Sequence, residues 1–130
     1  INVKHRKIIK AMIKDSVFIH SSVVFSKVHY FKTTGYKNEF KIGSEHIADY
    51  FLCIQLMQLG DFAILKEYTL KYRILPYSMS RTFNKSLLYE SRLQVMKYAI
   101  KRYPMFLCTF LKHYTWVQVN ICFYKRFKKK

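Results

Sequence analysis

The sequence predicts an α+β fold: a few short mixed strands with packed helices, closed by a basic helical pair at the C-terminal end. Three observations predict it. Val17–Phe25 (VFIHSSVVF), Asp61–Lys66 (DFAILK) and Tyr68–Ile74 (YTLKYRI) are rich in the β-branched and aromatic residues that suit a pleated surface. Ile47, Phe51, Ile54 and Gln58 recur at the helical repeat, and Tyr50, Leu52, Leu56 and Met57 widen their apolar face. The composition, 51% hydrophobic and 18% aromatic in 130 residues, supplies one modest core and excludes a disordered chain.

The elements follow in order. His5–Lys14 (HRKIIKAMIK) sets Ile8, Ile9, Met12 and Ile13 on one helical face, with lysines opposite. Asp15-Ser16 breaks that helix, and the first strand follows. Lys27–Thr33 predicts a short helix, with Gly35 available as a left-handed cap. After a loop, Ser44 suits an N-cap and Glu45 and Asp49 suit the first turns, where carboxylates complement the helix dipole. That helix should run to Leu59, stop at Gly60 and be largely buried. Two short strands meet at Glu67, Pro76 halts the second, and Ser78–Lys85 forms a polar linker. Ser86–Tyr103 and Pro104–Phe127 are the closing helices, with Pro104 at a first helical position. Two units are expected, residues 1–82 and a basic helical extension over 83–130.

The net charge of +17 is unevenly spread. All seven acidic residues lie at or before Glu90, whereas Ser91–Lys130 holds ten Lys and Arg and no acid. Such a field implies an anionic partner. No uncharged apolar run reaches the ~20 residues of a membrane span, because Lys112 separates Tyr103–Leu111 from His113–Tyr124. The first residues, INVKHRKIIK, show no apolar block or cleavage site of a signal peptide. Cys53, Cys108 and Cys122 are widely spaced among apolar neighbours, which favours small core residues in a reducing compartment over disulfides or a metal site.

Three blocks carry a family resemblance: Phe18–Lys27 (FIHSSVVFSK) with Thr34-Gly35-Tyr36, Ile47–Gly60 (IADYFLCIQLMQLG), and Leu65–Ser80 (LKEYTLKYRILPYSMS). Together they resemble the C-terminal half of an inverting family 2 glycosyltransferase of the GT-A type. The resemblance covers roughly residues 5–82. It implies sugar transfer from a nucleotide-sugar donor to a cell-surface glycan or lipid-linked acceptor, at the inner face of a membrane in the cytoplasm. It also implies a divalent metal, Mn or Mg, whose ligands would lie in a donor-binding half that the chain lacks. Leu75 stands where the family often has a His.

Asp49 is the expected general base, since inverting transfer needs one carboxylate to deprotonate the acceptor hydroxyl. The plainer reading of Asp49 is a charge at the helix start. Arg73 either forks onto a diphosphate or pairs with Glu67 or Asp49. Ser78 and Ser80 either line the cleft or satisfy turn backbone. His20 and Ser22 share a strand face that the resemblance turns toward the acceptor, while no oxyanion motif supports a hydrolase.

Tyr103–Lys130 interleaves aromatics with basic residues and predicts contact with an anionic membrane surface, the terminal cluster being Lys125, Arg126, Lys128, Lys129 and Lys130. The alternative to an enzyme is therefore a non-enzymatic basic module on membrane or nucleic acid. Nucleic acid is the weaker partner, because the chain has no RNP pattern, zinc-finger spacing or Gly-x-x-Gly loop.

Overall fold

The computed structural model describes residues 5–36, 47–77 and 84–127. Among them are α1 (His5–Met12), α2 (Lys27–Tyr30), α3 (Ala48–Leu56), α4 (Lys85–Arg102) and α5 (Leu107–Phe127), with 3-10 turns at His20–Ser22 and Pro104–Phe106.

The core forms where apolar helical faces meet. Ile8, Ile9, Met12 and Ile13 at α1 enter it together, as their spacing requires. Every residue of α3 from Tyr50 to Leu56 is buried, including Gln55, so this short helix is the centre of the molecule. Leu93, Val95, Met96 and Ala99 of α4 and Phe110, Val117 and Ile121 of α5 complete the cluster. Tyr50 is held at its far end by its hydroxyl, which donates to the Met12 carbonyl. Arg92 of α4 meets Asp15 after α1 at 2.9 Å.

The helices α4 and α5 form an antiparallel hairpin. Tyr103 leaves helical geometry at φ −126° and ψ 61°, and Pro104 opens the next turn. Between the two helices Tyr89 lies edge-on to Trp116 at 5.6 Å and stacks on Tyr124 at 5.8 Å. Lys125 pairs with Glu90 at 2.6 Å across the same seam.

The expected α+β class is corrected to all-α for the described residues, which contain no strand. Val17–Phe25 is interrupted by the 3-10 turn, in which the Ser22 N–H and hydroxyl both bond the Ile19 carbonyl, at 2.9 and 2.8 Å. Such local hydroxyl bonding competes with a sheet ladder. Ala63–Leu75 runs exposed, and among the described residues no backbone hydrogen bond joins it to another segment. β-branched residues favour strands only where cross-strand neighbours exist, and among the described residues neither segment has one. The resemblance to a GT-A glycosyltransferase falls with the sheet, because that fold is built on one.

Gly35 does take the left-handed conformation that its position predicts, at φ +63°. A Cβ there would stand 2.8 Å from the Tyr30 hydroxyl. Gly35→Ala should therefore lower stability by about 1–2 kcal/mol from the backbone alone, read as a reduced urea midpoint. An unchanged midpoint would contradict the described turn.

Candidate functional site

Asp49 lies in the first turn of α3, half-buried. Its Oδ1 accepts the Tyr50 N–H at 2.7 Å, satisfying one of the backbone donors that a helix start leaves open. Its charge is felt by Tyr36 and Cys53: burial first, with the Asp49 carboxylate adding to it, pushes the Cys53 thiol up to about 12. Burial likewise raises the Tyr36 phenol, with smaller contributions from Tyr30, Cys53 and Asp49. Both neighbours therefore stay protonated and neutral around pH 7.

His20 is drawn to the same region, its Nε2 2.9 Å from the Tyr36 hydroxyl and its Nδ1 buried without a hydrogen-bond partner. It sits in a turn, so the expected strand face shared with Ser22 does not exist. Ser22 spends its hydroxyl on the Ile19 carbonyl. Arg73 lies exposed on the extended segment and, among the described residues, forms no ion pair with Glu67 or Asp49. Ser78 and Ser80 fall outside the described residues, as does Glu45.

The structure thus brings Asp49, Tyr36 and His20 into one neighbourhood and leaves Arg73 out of it. Among the described residues no group of three His, Cys, Asp or Glu is placed to hold a metal ion.

Tyr36 and Gln55 were not singled out from the sequence. Gln55 is buried, and its Oε1 accepts from the Thr34 N–H at 3.0 Å and the Thr34 hydroxyl at 3.1 Å. The sequence carries a signal for Gln55, a polar residue inside an otherwise apolar helix, whereas the helical repeat points to Gln58, which is exposed.

The second surface is the outer face of α5. Phe110, Val117 and Ile121 point into the core, and the helical repeat then places another set outward. That set is Cys108, Leu111, Lys112, Thr115, Trp116, Val119, Cys122, Phe123 and Arg126, all of them exposed, with Trp116 at the edge where its ring also meets Tyr89. Val119 is 67% exposed and Phe123 54%. Cys108 and Cys122 are consequently surface thiols, correcting the expectation that all three cysteines are core residues. A helix apolar on both faces but covered on one leaves a surface that water does not favour. Lys112 and Arg126 stand within this stripe and Lys101 and Arg102 end the neighbouring helix.

Fold and surface together define a small, strongly basic helical protein whose α4–α5 hairpin exposes an apolar stripe set among cations. No family model, characterised protein or solved structure matches the chain significantly.

Proposed function

We propose that this chain is a non-enzymatic module that docks on anionic membrane surfaces through the outer face of α5. The observation that carries the proposal is the exposed run Leu111, Trp116, Val119 and Phe123, with Lys112 and Arg126 in the same stripe and no acid from Ser91 onward. A helix whose uncovered face mixes apolar and basic side chains can lie in the interface plane, apolar side chains toward acyl chains and cations on headgroups. Each basic residue at such a surface contributes about 1 kcal/mol. Lys125 contributes less than the sequence implies, because it is committed to Glu90 at 2.6 Å.

No helix among the described residues is long and apolar enough to cross a bilayer. Asp49 takes the helix-start role that its bond to the Tyr50 N–H supports.

Trp116 is the one tryptophan of the chain and lies on the docking face, so it reports the event directly. With phosphatidylglycerol vesicles its emission should shift to the blue and the protein should co-sediment; with phosphatidylcholine vesicles both effects should be weak. Val119→Glu together with Phe123→Glu should weaken partitioning at least tenfold without unfolding, since both residues are exposed. Equal binding to both vesicle types, or undiminished binding of the double variant, would overturn the proposal. Binding to DNA that collapses between 50 and 200 mM salt, with no vesicle binding, would instead favour the nucleic-acid reading.

A further inference from the structure

A cavity of about 540 Å³ opens between two segments distant in sequence, one around Ser22–Ser26 and the other around Gly60–Thr69. Its wall is mixed, and Phe18, Val23, Phe25, Leu56, Phe62 and Leu65 form the apolar part. The volume falls inside the ~300–1,000 Å³ range of small-molecule sites, which pair apolar walls with a few polar groups. Here the polar residues of the lining are Ser26, His29 and Thr69, with Asp61 and Glu67.

The charge of that lining is the informative part. The chain has 24 Lys and Arg against 7 acids, yet the described residues that line the cavity include two of those acids and no Lys or Arg. Asp61 is almost fully exposed and stands 3.7 Å from His5, so it marks the mouth rather than the floor. Lys27 and Lys66 adjoin lining residues along the chain, but neither lines the cavity, so the charged side chains that a bound molecule meets there are the two carboxylates.

We propose that this cavity binds a small apolar molecule carrying one ammonium group. The hydrocarbon or ring enters against Phe18, Phe25, Phe62 and Leu65, and the cation stays at the mouth beside Asp61 and Glu67. Carboxylate-bearing molecules of the same shape are rejected there by like charge. The site shares no residue with the outer face of α5, so it stands or falls separately from membrane docking.

Tryptamine and indole-3-propionate test this as a pair, because they share a ring and differ mainly in the sign of the charge. Calorimetric titration of the full chain should show tryptamine binding at least tenfold more tightly. Asp61→Asn with Glu67→Gln should erase that preference, and both side chains are exposed enough that folding is unaffected. Ala63→Trp, which projects a ring from an exposed wall position, should abolish binding of either compound. Amide chemical-shift changes should fall on Ser22–Ser26 and Gly60–Thr69. Equal affinity for the two compounds, an unchanged preference in the double variant, or shifts confined to other segments would each overturn the proposal.

Discussion

Phe51→Ala is expected to remove about 3–5 kcal/mol of folding stability. Phe51 is 1% exposed in the middle of α3, and its ring meets Tyr98 of α4 edge-on, with centroids 4.9 Å apart. Alanine would lose the transfer free energy of the ring and leave a hole that this centre cannot readily close. The edge-to-face pair with Tyr98 adds about 0.5–1.5 kcal/mol beyond buried area. Native domains hold only about 5–15 kcal/mol in total, so the variant should be near the limit of folding at all. Urea denaturation followed by circular dichroism measures the effect. Val24→Ala is the matched control, because Val24 is 97% exposed and should change stability by less than about 0.5 kcal/mol. A loss below about 1 kcal/mol for Phe51→Ala would remove α3 from the centre of the fold.

Raising the pH above 9 should destabilise the protein through Cys53. Burial, reinforced by the Asp49 carboxylate, holds its thiol protonated up to about 12, against an ordinary value of 9.0. The unfolded chain releases that proton near 9 while the folded chain keeps it. The unfolded state then binds fewer protons, so stability is full below pH 9 and declines between 9 and 12. The upper bound is roughly 4 kcal/mol, from about 1.4 kcal/mol per pH unit. The buried Tyr50 phenol is raised as well, chiefly by burial with help from Asp15 and against Arg92, and steepens the fall at the alkaline end. Loss of lysine charge acts in the opposite direction by relieving self-repulsion. Comparing Cys53→Ala with the natural protein isolates the thiol, since the lysines are common to both. The variant should start slightly less stable at pH 8 and lose less by pH 11. Parallel curves for the two proteins would refute a buried thiol at this position.

The helices were legible because their signals are local. Ile8, Ile9, Met12 and Ile13 can share a face only on a helix, Pro104 suits only a first turn, and Gly35 occupies the conformation reserved for it. The strand expectation failed at Val17–Phe25 and Asp61–Ile74 because β propensity describes a fit to neighbours rather than a preference of the backbone. Nothing in VFIHSSVVF states whether a ladder partner exists. Ser22 closing a turn on Ile19 needs no partner, and that local bond prevails.

The site was legible to a similar, uneven degree. The basic and aromatic character of Tyr103–Lys130 is plain in the sequence. Which side chains of α5 turn outward is not, because apolar residues occupy both faces and the repeat alone cannot choose between them. Phe110, Val117 and Ile121 face inward only once α4 is packed against them. The cavity could not have been read at all, since its two walls come from segments about forty residues apart with no pattern in common.

Cys108 and Cys122 lie on the outer face of α5, about 21 Å apart along the axis at 1.5 Å per residue. The third thiol, Cys53, is sealed in the core. The protein therefore carries two chemical handles of its own, one toward each end of the same stripe and flanking Val119. A spin label or a polarity-sensitive dye attached at each would act as a depth gauge, reporting separately on the two ends and hence on the tilt of the helix against whatever surface it meets.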